Sequence, residues 1–226
     1  MRELLQGLLD LVNPPLCAAC GASTQGAAPL CARCEGALPL LTRADNQPSP
    51  RFLDGCFASV AFAGDAEDWI HRFKYPGPGL SDLDPVAPSV ARWLIRRAAE
   101  LVPDDRFDLV VPIPLHPRRL RSRGFNPAGI LGRALAREHH LSFDPVALLR
   151  ERDTPSQTGL SRRERLRNVR GAFRANPRRR IPASLWLVDD VVTTGSTLGE
   201  AARTLRRAGA RRIVGVCLAR TPRPGA

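Results

Sequence analysis

The chain has almost no lysine, few aromatics and no long apolar run. Of 34 basic residues only Lys74 is a lysine, and aromatic residues make up 5% of the 226 positions. No stretch approaches the roughly 18 consecutive apolar residues a membrane-spanning helix needs. With so few rings there is no interleaved aromatic platform of the kind that stacks single-stranded bases. Four histidines offer no cluster for a histidine-rich metal site. The start, Met1 to Leu11, carries Glu3 and Asp10 and lacks a basic leader and a small-residue cleavage site, so it does not read as a signal peptide. An amphipathic helix with Leu4, Leu5, Leu8 and Val12 on one face is expected there. A cytoplasmic protein with reduced cysteines and no membrane insertion follows.

Acids are also scarce: 22 against 34 bases give a net charge of +12. Arginine suits bidentate phosphate contacts, and a basic protein suits polyanionic partners. A GC-rich genome inflates arginine in the same way, so charge alone leaves nucleic-acid binding open. A 43% hydrophobic composition over 226 residues supports one α/β core plus a small appendage.

The chain is organised around Leu185-Trp-Leu-Val-Asp189-Asp190-Val191-Val192-Thr193-Thr194-Gly195-Ser196-Thr197. An apolar run ends in two adjacent carboxylates, then a loop of hydroxyl residues and glycine. Leu198, Ala201, Ala202, Leu205 and Ala208 follow at helical spacing, with Gly209 placed to stop the helix. This predicts buried strand, loop, helix. A parallel sheet presents its functional loops at the carboxyl ends of its strands. Free N–H groups at the helix start, with the hydroxyls of Thr193, Thr194, Ser196 and Thr197, make a phosphate cradle. Asp189 and Asp190 repel a phosphate, but they accept hydrogen bonds from sugar hydroxyls or help hold a divalent metal. The pattern calls for a ribose carrying a 5′-phosphate.

Two C-x2-C pairs, Cys17/Cys20 and Cys31/Cys34, match a tetrahedral structural zinc site. Disulfides would need an oxidising compartment, and a redox C-x2-C needs no second pair. Cys56 and Cys217 read as packing residues. The polar, Pro-containing stretch Thr42 to Arg51 is read as a linker. It separates a helix and zinc knuckle (1–44) from a larger domain (52–226).

Within that domain, strands are expected at Cys56–Ala63, Phe107–Leu115 and 211–219, and helices at Asp65–Lys74, Pro85–Leu101 and Pro127–His139, the last capped by Asn126. Lys74 could reach an anion, but it is read as a solvated helix end. The run His116 to Asn126 after Leu115 contains Arg118, Arg119, Arg121, Arg123 and Gly124. At the end of a strand it is a second anion site, suited to pyrophosphate. Residues 152–173 are strongly basic, with a capping-box start at Ser161/Glu164, and suit a mobile active-site loop or a nucleic-acid contact strip.

The central stretch resembles the 5-phosphoribosyl-1-pyrophosphate (PRPP) signature of type I phosphoribosyltransferases. With the cysteine pairs, V-P-I-P-L and R-G-F-N (Arg123–Asn126), R-x-T-x-x-Q (Arg152, Thr154, Gln157) and N-V-x-G-A-F (Asn168–Phe173), the chain from Pro14 to Arg220 resembles the ComF family. The resemblance implies an α/β, type I phosphoribosyltransferase-like parallel sheet flanked by helices, with a small N-terminal four-cysteine zinc knuckle. It implies PRPP bound with Mg²⁺ by Asp189, Asp190, Val191 and Thr193–Thr197. It assigns pyrophosphate to Arg118, Arg119 and Arg123, and a flexible loop to Arg152, Thr154, Gln157, Arg165 and Asn168. Many members carry a second cysteine cluster where this chain has only Cys56, so one zinc site is expected. Purine-salvage relatives place an aspartate where Thr193 stands. A threonine cannot act as that base at neutral pH, so an amine acceptor, or none, fits better than a purine. The family is linked to competence and DNA uptake. That adds single-stranded DNA or a competence helicase as partners, and a non-catalytic DNA-handling role as the alternative to phosphoribosyl transfer.

Overall fold

A computed structural model describes residues 16–24, 28–75, 86–103, 106–154 and 162–222. The expected N-terminal helix, Gln157 and the Ser161 half of the capping box lie outside these residues.

Strands β6 (Ser184–Val192) and β7 (Arg212–Arg220) form the middle of a five-stranded sheet. β1 (Gly55–Ala61) lies beyond β7, and β2 (Leu109–Pro112) and β3 (Ser142–Phe143) lie beyond β6, giving the order β1-β7-β6-β2-β3. Every pairing is parallel. The strands read as continuous apolar runs because helices cover both faces. The period of two is kept within them: Trp186 and Val188 face one core with Val214, Val216 and Leu218, while Leu185 and Leu187 face the other with Ile213 and Cys217.

The first core is closed by α2 (Asp65–Lys74), α3 (Val86–Glu100) and α5 (Pro127–Glu138), through Trp69, Ile70, Leu94, Ile95, Leu131 and Leu135. The second is closed by α7 (Ser196–Arg207), whose Leu198, Ala201, Ala202 and Leu205 are all buried as the spacing predicts. Gly209 takes φ +111° just past its end. A separate antiparallel hairpin, β4 (Leu148–Arg150) with β5 (Phe173–Ala175), packs against α7 and caps this face.

Two local readings change. The basic run after Leu115 is a short helix, α4 (Pro117–Arg123), capped by His116 Nδ1, which accepts from Arg118 N–H at 3.3 Å. Proline at its first position and Gly124 in the left-handed region at its end mark both boundaries. Asn126 does not cap α5 with its side chain; its amide instead donates to the Ile113 carbonyl at 3.0 Å.

The cysteine segment, with its short helix α1 (Ala32–Gly36), docks on the first core through Cys17, Leu30 and Leu38. The stretch that follows is built into the sheet edge. Buried Asn46 donates to the carbonyls of Thr42 and Ala58 and accepts from Ala58 N–H. Arg220, 8% exposed at the end of β7, donates to the Asn46 and Cys56 carbonyls.

Candidate functional site

β6 carries Asp189 and Asp190 to its carboxyl end, where Asp189 is in register with Cys217 of β7. Adjacent strand residues point to opposite faces, so the two carboxylates meet different neighbours. Asp190 is ion-paired with Lys74 at the end of α2, Nζ to Oδ1 3.1 Å. That is where Lys74 departs from the expected solvated helix end: its side chain is 19% exposed. Asp189 lies towards the β4–β5 hairpin, within the field of Arg150. Burial and the charge of Asp190 push its carboxyl up to about 7, against the opposing pull of the Asp190 N–H, Lys74 and Arg150.

The loop then turns into α7. Thr193 is exposed, Thr194 is buried less fully than its neighbour Ser196, and Thr197 is half-buried. Thr194 and Ser196 share a hydroxyl hydrogen bond of 2.7 Å. Gly195 holds φ +71°, and a Cβ there would sit 2.4 Å from Pro50 Cγ. The close approach that requires glycine is therefore made by the chain itself. Gly199, one turn on, meets the Arg51 carbonyl in the same way. Asp189, Val191, Thr193, Gly195, Ser196 and Thr197 line one small cavity at the helix start.

The expected arginines divide. Arg119 turns inward and donates to the Thr154 carbonyl at 2.8 Å. Arg150, not singled out in the sequence, donates to the Thr154 hydroxyl at 2.7 Å, and its buried Nε has no hydrogen-bond partner among the described residues. Burial and the nearby Arg119 lower the Arg150 pKa. Two guanidinium groups on either side of one threonine, with no carboxylate hydrogen-bonded between them among the described residues, suit an anion. Arg123 stacks on Tyr75, the residue after Lys74, 4.6 Å from the ring centre. Arg118 turns outward, 75% exposed, and reaches Asp153 at 3.7 Å. Of the expected loop residues, Thr154 is buried here. Arg152 bonds the Arg170 carbonyl. Arg165 and Asn168 lie on α6 (Arg162–Val169), which packs on α7.

The four cysteine sulfurs lie within 4.8 Å of one another. Cys20 Sγ and Cys31 Sγ are 3.8 Å apart. Four sulfurs around a zinc at about 2.3 Å stand about 3.8 Å apart, so the donor set fits a tetrahedral ion. Burial raises the Cys17 thiol, but backbone N–H groups from Cys31, Cys20 and Ala19 outweigh it and bring the thiol down to about 6. No group of ligands suited to a second metal occurs among the described residues.

Sheet order, carboxylate pair, helix-start loop and cysteine knuckle together define a phosphoribosyltransferase-like α/β protein with a zinc-binding-type appendage. The DNA utilization protein YhgH of Escherichia coli (strain K12) is 33% identical over 220 residues, 91% of this chain and 90% of that protein. Competence protein F of Haemophilus influenzae is 36% identical over 112 residues, covering 47% of each. Competence protein ComFC of Streptococcus pneumoniae is 30% identical over 147 residues, covering 65% of this chain and 60% of its own. The chain belongs to this ComF family. No protein-family model matches it. Among solved structures, the glutamine PRPP amidotransferase of B. subtilis overlaps 65% of this chain and 30% of its own, at 18% identity and a TM-score of 0.44, too distant to add to the topology above. No helix among the described residues is long and apolar enough to cross a membrane.

Proposed function

We propose that the end of β6 and the start of α7 bind PRPP or a related ribose 5-phosphate. The observation that carries the reading is the carboxylate pair running directly into a glycine-bent hydroxyl loop at a helix start, with Lys74 held on Asp190 at 3.1 Å. The loop from Thr193 to Thr197 takes the 5′-phosphate on backbone N–H groups and hydroxyls. Asp189 and Asp190 take the ribose hydroxyls, and Val191 holds the strand between them and the loop. Arg119 and Arg150 take the pyrophosphate, joined by Arg118 and Arg123 from α4. The flexible-loop role that the resemblance assigns to Arg152, Thr154, Gln157, Arg165 and Asn168 is part of this proposal, with Arg165 and Asn168 carried on α6. Mg²⁺ bound with the ligand supplies charge neutralisation on the pyrophosphate. The four cysteines hold a structural zinc.

With an amine acceptor the reaction is a phosphoribosyl transfer. The amine lone pair forms a bond to ribose C1, the bond from C1 to pyrophosphate oxygen breaks, and pyrophosphate leaves with that electron pair. The amine nitrogen then loses its proton to solvent. The protein's part is placement and electrostatics rather than covalent participation. Thr193, in place of an acid, disfavours a purine acceptor.

A second reading has support in the relatives' names and in the net charge of +12. In it the protein handles single-stranded DNA in the cytoplasm, alone or with a competence helicase, and the phosphate pocket serves as a ligand sensor. Pyrophosphate release from PRPP in the presence of a panel of small amines separates the two. Acceptor-dependent release supports transfer, and PRPP binding without release supports the non-catalytic reading.

A further inference from the structure

A second basic concavity lies between α3 and α5, built from none of the residues of the ribose-phosphate site. It is an open groove of about 510 Å³. α3 lines it with Arg92, Trp93 and Arg96, neighbours on one helical stripe, and α5 lines it with Arg137. Pro29 of the cysteine segment closes one side. The segment is tied there by Glu35, which pairs with Arg97 at 3.4 Å, while Arg97 stacks on Trp93 at 5.2 Å from the ring centre. Arg96 is matched by Glu138 at 2.7 Å. Arg92 and Arg137 are exposed and have no acidic partner among the described residues.

We infer that this groove binds single-stranded nucleic acid, one base lying against Trp93 and the flanking phosphates on Arg92 and Arg137. The inference gives the DNA-handling reading a place on the molecule and rests on it. Glu138 also lines the groove but is held by Arg96, so among the described residues two guanidinium groups stay unmatched beside a half-buried indole and offer phosphate and base what each needs. The volume is that of a small-ligand pocket, enough for one nucleotide. Charge alone would also admit an acidic peptide. The ring favours a nucleotide, whose base stacks on the indole while the adjoining phosphates reach the guanidinium groups. The cysteine segment gains a role in this arrangement, since it supplies one wall and fixes the back of the tryptophan.

The test is fluorescence anisotropy of a labelled oligothymidylate with the zinc-loaded full chain across a salt series. Arg92→Ala/Arg137→Ala should weaken binding about tenfold at low salt and reduce the log–log salt slope by about 1.4, two phosphates at about 0.7 each. Its melting temperature and its PRPP titration should match the parent. Oligothymidylate should also change the tryptophan emission of the parent and not that of Trp93→Phe, because Trp69 and Trp186 are buried. Unchanged affinity in the double variant overturns the inference. So does loss confined to Arg165→Ala/Arg167→Ala on α6, or equal competition by polyglutamate of the same charge. A folded parent that does not bind oligothymidylate overturns both the groove and the DNA-handling reading. PRPP binding is read separately, so failure here leaves the ribose-phosphate reading standing.

Discussion

Lys74 and Asp190 are joined at the carboxyl end of the central strand β6 by a 3.1 Å ion pair, with both side chains about four-fifths buried. It is the single lysine of the chain, in a protein that otherwise uses arginine throughout. A compact ammonium on a flexible stem can leave a carboxylate for an incoming phosphate more easily than a planar fork can. Replacing Lys74 by Met should weaken PRPP binding about tenfold, the scale of one lost charge-assisted hydrogen bond. Lys74→Arg should restore only part of it. Equilibrium titration of the three proteins checks this.

The Asp189 carboxyl, raised to about 7 by burial and by Asp190, gives a pH dependence with a defined sign. A carboxyl raised in the folded state binds more protons folded than unfolded between its ordinary pKa of about 4 and about 7. Its contribution to stability is therefore complete below about pH 4 and is lost as pH rises through about 7. Ligand binding runs the other way, because ribose hydroxyls donate to the ionised form. PRPP affinity should climb as pH rises through about 7 and level off roughly one unit above that. Asp189→Asn should flatten the climb, weaken binding and raise the melting temperature on the alkaline side. Lys74→Met should shift the climb upwards in pH, since Lys74 lowers the Asp189 pKa.

Gly195 combines φ +71° with a Pro50 contact that leaves no room for a methyl group. Gly195→Ala should shift the loop and remove ribose-phosphate binding while the rest of the sheet still folds. Loss of PRPP binding with a retained far-ultraviolet spectrum is the expected outcome.

Asn46 satisfies backbone groups of Thr42 and Ala58 and meets the buried Arg220 guanidinium. Asn46→Ala leaves several of these groups unpaired and should cost about 3 kcal/mol, a drop in melting temperature on the order of 10 °C. Chemical and thermal denaturation would measure it.

The cysteine segment contributes Cys17, Leu30 and Leu38 to the main core, so a metal held by its four cysteines would be coupled to the stability of the domain. The protein should carry one zinc per chain, and Cys34→Ser should lose it. Chelation should lower the melting temperature of the whole chain. Elemental analysis beside thermal denaturation reads both effects.

Much of this was legible in the sequence because it is local. The two C-x2-C pairs, the run from Leu185 to Thr197, and the face formed by Leu198, Ala201, Ala202 and Leu205 each declare themselves through spacing within one or two turns. Lys74 and Arg150 did not, because their roles arise from pairings across the fold. Lys74 looks like the basic end of any amphipathic helix until α2 is placed beside β6. Arg150 is hidden among the other arginines, and only the β4–β5 hairpin, too short to show a period, turns it towards Asp189. The lone lysine in an arginine-rich chain was the one available signal. Pro50 reads as a linker residue, yet it packs on Gly195; no local pattern announces a contact that far along the chain.

The most direct measurement is calorimetric titration of the zinc-loaded protein with PRPP and Mg²⁺, beside Asp189→Asn/Asp190→Asn. Saturable binding to the parent and none to the folded variant is the predicted result. No binding to a correctly folded parent, or equal binding to both, would contradict a ribose-phosphate site at the end of β6.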